Sequence, residues 1–291
     1  MAKIVNTPET LTIRTNHCYP PNNHVIFEDY FRNYFTNNKI ETERYYIPVQ
    51  WTSFYLSRKN GKGNMFDLQN YLNNIDKSKK YFTVLQYDDG IINDISHLDL
   101  FVFASGGGGK NINPNGSIGD YKIPLICQPD PYANKNLNKT ILASFVGSLN
   151  NRHIARDVMK STLSDKNDII ISNILTYDKF KNLMETSIFS LAPRGYGATS
   201  FRICEALQHG SIPVYIHDDN KWIPFESEFD FNDIGISIHY KDLFNLYDIM
   251  KSKTPEEINT YRKNGDKIYN EYFTYIGCSD KIIKLLKKNE K

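Results

Sequence analysis

The sequence predicts an α/β protein built as two compact units, and three observations carry that expectation. The chain has 291 residues, which at about 150 residues per domain allows two units. Short apolar runs alternate with helix-patterned stretches, most regularly from about residue 140 onward, as they do in parallel α/β folds. Loops bearing glycine follow two of those runs, at Gly147 and at Gly195, and ligands of α/β sheets bind just outside strand carboxyl ends.

In the first half, residues 45–49, 81–85, 98–103 and 123–126 read as strands, with helix-patterned stretches at 27–35 and 66–74. In the second half, strands are expected at 141–146, 168–172, 188–192 and 212–216, with helices at 151–163 and 176–185 between them. Thr199 or Ser200 can cap a further helix running to Gln208, which Gly210 closes. Pro213 belongs near the start of its strand, since proline has no ladder N–H to give. Thr254, Pro255 and Glu257 form a helix-start signature, with N-cap, first-position proline and capping box. Apolar periodicity then continues that helix to about Phe273. The last stretch, 281–288, is basic and amphipathic; it packs on the protein by its Ile/Leu face or makes peripheral contact with a membrane surface. The polar segment 129–138 is the natural boundary, which gives units of 1–137 and 138–291.

Composition excludes some classes. With 40% hydrophobic and 23% charged residues, the chain is neither disordered nor membrane-embedded. Lys+Arg of 35 against Asp+Glu of 33, a net charge of +2, gives no support to nucleic-acid binding through a broad basic face. The 31 Asn, 20 Tyr and 17 Phe suit a sugar-binding cleft, although an AT-rich genome inflates the same residues and is the weightier source. No apolar signal core opens the chain and no run is long enough to span a membrane. Cys18, Cys127, Cys204 and Cys278 stand far apart with no CxxC spacing. They read as reduced thiols, and the expected location is the cytoplasm.

The densest functional signal is the stretch 192–208. Gly195 and Gly197 let backbone approach a ligand, and a helix opening near Ser200 aims unpaired N–H groups at the same place. Arg194 adds a planar fork that suits a phosphate. Arg202 and Glu205 are three apart and share a helix face. A carboxylate one turn inside such a helix suits both hydroxyls of a ribose, so a nucleotide diphosphate site and a plain structural loop are both open. The run from Ser105 to Lys110 is not a P-loop, because Ala104 and Asn111 occupy positions that need Gly and Ser/Thr. It reads as a loop beside the cleft. Asp218-Asp219-Asn220 lacks the D-x-D spacing of a carboxylate metal site and reads as a solvated loop. His153, His209, His217 and His239 have no paired ligand spacing and read as ordinary polar residues.

Phe145-Val146-Gly147-Ser148, Arg152, Arg156, the 190–197 stretch, Ser200-Phe201-Arg202, Glu205 to Gln208 and Gly210 to Val214 together resemble the exostosin glycosyltransferase family. Upstream, Tyr46-Ile47-Pro48, Tyr87-Asp88-Asp89-Gly90 and Tyr121-Lys122-Ile123-Pro124 follow in the family's order. The resemblance implies a GT-B fold, two Rossmann-like domains facing across a cleft, with a UDP-sugar held mainly by the second. It implies an inverting transfer to a hydroxyl of a glycan or glycoprotein acceptor, with no cofactor or metal required. It places Arg194 and the Gly195 to Ser200 loop, with Tyr196, Gly197 and Thr199, facing the diphosphate, and it counts Gly147 and Ser148 among the donor-binding residues. Glu205, with Arg202 beside it, would hold the ribose, and Arg152 or Arg156 would neutralise the departing diphosphate. Tyr87 stands where relatives often carry His.

An inverting displacement needs a base for the acceptor hydroxyl and positive charge for the leaving UDP. Asp88 is the first candidate for the base and Asp89 the second, with Glu43 and His17 behind. Read without the resemblance, Asp88-Asp89-Gly90 is a turn. UDP-xylose is the first donor to consider. The competing reading is a noncatalytic protein that binds nucleotide sugar or glycan in the same cleft.

Overall fold

The computed structural model describes residues 2–13, 26–107, 121–149, 153–173 and 176–288. They form two compact units, one of Met1–Ile123 with Tyr275–Lys291, the other of Pro124–Thr274. Each is a parallel sheet with helices, so the expected α/β class with two Rossmann-like units is observed.

In the first unit, α1 (Phe27–Asn37), β1 (Tyr45–Tyr46), α2 (Trp51–Ser57), α3 (Phe66–Asn74), β2 (Lys80–Leu85), β3 (Asp99–Ala104) and β4 (Tyr121–Lys122) follow in order. The strands are all parallel, in spatial order β1-β2-β3-β4. Phe27, Phe31 and Phe35 are spaced four apart and fully buried, so α1 lays one aromatic stripe on the sheet. Phe31 meets Tyr46 at 5.5 Å, and Phe35 meets Phe82 at 5.4 Å between ring centroids. Much of the aromatic excess is therefore core. The expected strand at 123–126 is instead an irregular buried stretch, with pairing confined to Tyr121–Lys122. The 51–57 segment, for which no element was expected, is α2, and its Trp51 indole N–H donates to Thr83 Oγ1 at 2.8 Å.

The second unit runs β5 (Ile141–Val146), α4 (Ile154–Leu163), β6 (Ile169–Ser172), α5 (Tyr177–Thr186), β7 (Ser187–Pro193), α6 (Phe201–Gln208), β8 (Ile212–His217), β9 (Ile236–His239), α7 (Leu246–Lys251) and α8 (Pro255–Ile268). All five strands are parallel, in spatial order β6-β5-β7-β8-β9. The chain therefore winds outward in both directions from the β5–β7 pair, which is the topological switch point of this sheet. Phe189, Leu191, Val214 and Ile216 pack with Met159 and Leu163 to form the core. Each such side chain contributes roughly 1.5–3 kcal/mol by burial. Pro213 is the second residue of β8, near its start as its chemistry requires. The capping box at Thr254 forms as expected, with Pro255 opening α8.

The last helix, α9 (Tyr275–Lys288), corrects the expected division of the chain. It belongs to the first unit, where Tyr275 packs on Tyr30 at 4.9 Å and on Phe27 at 5.9 Å. Its Cys278, Ile282, Leu285 and Leu286 are buried, so the apolar face packs on the protein, the first of the two expectations for this stretch. The 129–138 segment is likewise part of the second unit rather than a boundary. Asp130 N–H donates to Gln208 at 3.1 Å, Asn134 N–H to Glu185 at 2.6 Å, and Lys135 pairs with Asp266. Among the described residues no helix is long and apolar enough to cross a membrane.

Candidate functional site

The switch point of the second sheet assembles most of the expected site residues. Val146 ends β5 and leads to Gly147 and Ser148, while Pro193 ends β7 and leads to Arg194. The register Ser144↔Ser190 puts these two exits side by side.

Arg156, on α4, ties them together. Its Nε donates to the Arg194 carbonyl at 3.2 Å and its Nη1 to the Ser148 carbonyl at 2.5 Å. A Cβ at Gly195 would stand 3.1 Å from the Arg156 guanidinium, so a side chain there would press on that group. Arg156 thus ties the two strand-exit loops together. Arg152, the alternative to Arg156 expected for charge neutralisation, lies outside the described residues.

The 195–200 loop turns from β7 into α6. Tyr196 is exposed, whereas Gly197, Ala198 and Thr199 are buried. The Tyr215 hydroxyl donates to the Ala198 carbonyl at 2.6 Å and accepts from Trp222 N–H at 3.0 Å, pinning the loop to β8. Ser200 is the N-cap of α6, its hydroxyl accepting from Arg202 N–H at 3.3 Å. Of the two caps expected, Ser200 is the one used. The helix start aims its remaining N–H groups and positive dipole end toward the strand exits.

Arg202 reaches the other way. It donates to the Val146 carbonyl at 2.5 Å, lies 4.5 Å over the Phe180 ring and pairs with Glu205 at 2.8 Å. The pair is a charge contact without hydrogen-bond alignment, and Glu205 Oε2 is buried. A ligand hydroxyl is the kind of group that would complete such a carboxylate.

Arg194 is where the structure adds most. Its guanidinium is buried at 5% exposure and donates from Nη1 to both Asp218 carboxylate oxygens at 2.6 Å and from Nη2 to the Tyr196 carbonyl at 3.1 Å. Asp218 follows β8, the strand beside β7, so the acid and the base leave adjacent strand ends. Burial works to raise the Asp218 carboxyl, but the hydrogen bond and charge of Arg194 outweigh it and hold it below the usual carboxylate range. His153, the N-cap of α4, completes the group. Its Nδ1 accepts from Ala155 N–H at 3.2 Å, which leaves the proton on Nε2, facing Asp218 Oδ2 at 3.4 Å. Burial and then the Arg194 charge lower the His153 pKa, keeping the ring neutral at pH 7.

The expectation of a solvated loop at Asp218 is therefore corrected, and His153 is more than an ordinary polar residue. Asp219 pairs separately with His239 at 3.2 Å. What pointed to Asp218 in the sequence was its place directly after a strand, the same place that singled out Arg194.

In the first unit, Leu85 and Ala104 are register partners at the carboxyl ends of β2 and β3. The Tyr87-Asp88-Asp89-Gly90 stretch leaves the first of these as a turn, closed by Gly90 N–H to the Tyr87 carbonyl at 3.0 Å, with Gly90 at φ 72°. The turn expected from these residues alone is therefore formed. Asp88 is half-buried and Asp89 is buried at 5% exposure, so Asp88 is the more accessible carboxylate. Gly106 lies against the Asp88 backbone so closely that any side chain would overlap it, which assigns a packing role to the start of the glycine run. Residues 108–110 of that run lie outside the described residues, as does His17.

The turn has a support that spacing did not reveal. Glu28, buried on α1, accepts from Gln86 N–H at 2.8 Å and from Thr52 Oγ1 at 2.5 Å, while Gln86 accepts from Phe27 N–H at 2.9 Å. Burial raises the Glu28 carboxyl to about 7, against the lowering pull of those hydrogen bonds. Glu43, the third expected base, accepts from Lys3 through its backbone carbonyl at 3.2 Å.

Fold and site together define a Rossmann-like α/β unit with a glycine loop and a capped helix start at its switch point. Residues 116–253, just under half of the chain, match the Exostosin GT47 domain. It is 36% identical to Exostosin-1 of Drosophila melanogaster over 110 residues, 37% of this chain and 14% of that protein. It is 40% identical over 75 residues to a probable β-1,4-xylosyltransferase, IRX10L, of Arabidopsis thaliana, covering 26% of this chain and 18% of the relative. The match to the Exostosin-1 homolog of Caenorhabditis elegans, 30% identical over 116 residues, covers 38% of this chain and 30% of that protein. The chain thus spans less than a third of each of these relatives. Among solved structures, AviGT4, a glycosyltransferase involved in avilamycin A biosynthesis, aligns over 99% of this chain and 97% of its own at 11% identity and a TM-score of 0.47.

Proposed function

We propose that the chain is a glycosyltransferase that moves a sugar from a UDP-sugar to a hydroxyl of a glycan acceptor, with inversion and without a bound metal. One observation carries this reading: the switch point between β5 and β7 gathers a capped helix start, a glycine loop and the Arg194 fork at one place. That is the chemistry a diphosphate needs. In the ground state Asp218 holds Arg194, so the phosphates share or replace that carboxylate when the donor enters. Arg156 fixes the loops, and Glu205 takes the ribose hydroxyls. Asp88 accepts the proton of the attacking hydroxyl while the site's positive charge stabilises the departing UDP.

Relatives named as a probable xylosyltransferase and a probable glucuronosyltransferase make UDP-xylose and UDP-glucuronic acid the first donors to try. The deciding experiment is a thermal-shift screen against nucleotide sugars, followed by a turnover assay with the donor that stabilises most. Donor-specific stabilisation with release of UDP supports the reading. Stabilisation without any release, even slow hydrolysis, would instead favour a noncatalytic binder, and stabilisation by no nucleotide would remove the donor site.

A further inference from the structure

The four cysteines stand far apart in sequence, yet the fold brings two of them together. Cys127 lies on the buried 124–128 segment that opens the second unit, and Cys204 lies in α6, between Arg202 and Glu205. Their sulfurs are 3.0 Å apart across 77 residues of chain, nearer than two unbonded sulfurs ordinarily rest. The Cys127 backbone N–H donates to Cys204 Sγ at 3.3 Å, and Cys204 Sγ faces the Phe273 carbonyl at 3.4 Å. The arrangement is anchored on both sides of the pair. Asp130 N–H donates to Gln208 at 3.1 Å, so the segment following Cys127 is tied to the far end of the same helix. A disulfide needs the sulfurs at about 2.05 Å, roughly 1 Å nearer than they stand here.

We propose that Cys127 and Cys204 are a site of covalent oxidation, at which a disulfide staples the 124–128 segment to α6. The co-reactant is a small disulfide such as oxidised glutathione. The thiolate of Cys127 attacks one sulfur of glutathione disulfide, breaking its S–S bond and releasing one glutathione thiolate. The Cys204 thiolate then attacks the Cys127 sulfur of the mixed disulfide and expels the second glutathione. Two protons pass from the protein thiols to the two glutathiones, so two cysteines are oxidised and one disulfide is reduced to two thiols. Cys127 enters first because it is 7% exposed and Cys204 is 0% exposed. Burial and the Cys204 sulfur push the Cys127 thiol well above its ordinary pKa, so attack follows local opening of the segment and not the closed state. Cys278 belongs to α9 in the other unit and takes no part.

The test is oxidation of the folded full chain with glutathione disulfide, followed by peptide mapping without reduction. The expected product is a single cross-linked species joining the peptides of Cys127 and Cys204, with Cys18 and Cys278 outside it. The same oxidation in guanidinium should give mixed pairings, because only the fold selects this pair. Closing so long a loop should raise the Tm of the oxidised protein over the reduced one by roughly 10 °C. Cys127→Ala should show no cross-link and no difference in Tm between the two conditions. Free Cys127 and Cys204 after oxidation of the folded chain, glutathione caps without a cross-link, or pairing of either with Cys18 or Cys278 would overturn the proposal.

Discussion

Replacing Glu28 with Gln tests whether the support beneath the Asp88 turn carries a proton. Glu28 is buried and its folded pKa is about 7, raised from 4.5 chiefly by loss of solvent. A carboxyl raised on folding binds its proton more tightly in the folded chain than in the unfolded one. Its contribution is therefore fully present below about pH 4.5 and is lost as pH rises toward 7. At roughly 1.4 kcal/mol per pKa unit, the change amounts to about 3 kcal/mol across that window. Gln cannot titrate, so the stability of the natural chain relative to Glu28→Gln should fall by about this amount between pH 4.5 and 7.5. Trp51 lies in the first unit beside Thr83 and Trp222 in the second. Urea unfolding followed by tryptophan fluorescence in a Trp222→Phe background therefore reports the unit that holds Glu28. A difference that stays constant with pH would show that the hydrogen bonds from Thr52 and Gln86 balance desolvation and leave no net shift. A difference that grows in favour of Glu28 would reverse the sign and refute the argument.

The remaining predictions concern the proposed reaction. Asp88→Asn should abolish sugar transfer while leaving UDP affinity unchanged in calorimetry, and near-normal turnover would remove Asp88 from the mechanism. Arg194→Ala should weaken UDP binding at least about tenfold, the loss of one charge-assisted phosphate contact; an unchanged dissociation constant counts against the diphosphate position. Asp218→Asn should do the opposite, tightening UDP binding by releasing Arg194, while lowering the stability of the second unit by about 1–3 kcal/mol in urea unfolding. Activity should survive EDTA, and loss of activity that Mn²⁺ restores would show that a metal takes part.

The alternation of apolar runs and helix patterns carried the fold class because each strand and helix is specified by its own neighbours in sequence. The capped start of α8 and the Ser200 cap of α6 were legible for the same reason, being made within three residues. The glycine loop and its arginine could be found because ligand positions in parallel sheets follow strand ends, and strand ends are local features. β9 was not foreseen, since four residues give too short a pattern. α2 was not foreseen either, since seven residues give little more than one helical repeat of pattern, and its Trp51 and Tyr55 are buried in the core.

Pairings across the chain were out of reach. Arg194 and Asp218 are 24 residues apart and meet because β7 and β8 are neighbours in parallel register. Glu28 reaches Gln86 across 58 residues, and Cys127 reaches Cys204 across 77. The amphipathic stripe of α9 was plain, but a stripe states only that something must cover it, and the tertiary structure chose the first unit. By itself, then, the sequence determined two α/β units, the positions of their capped helices and the loops where a ligand would be held. Only the tertiary structure decided which charge faces which at those loops, because such contacts depend on strand order and register, which link residues that no local pattern joins.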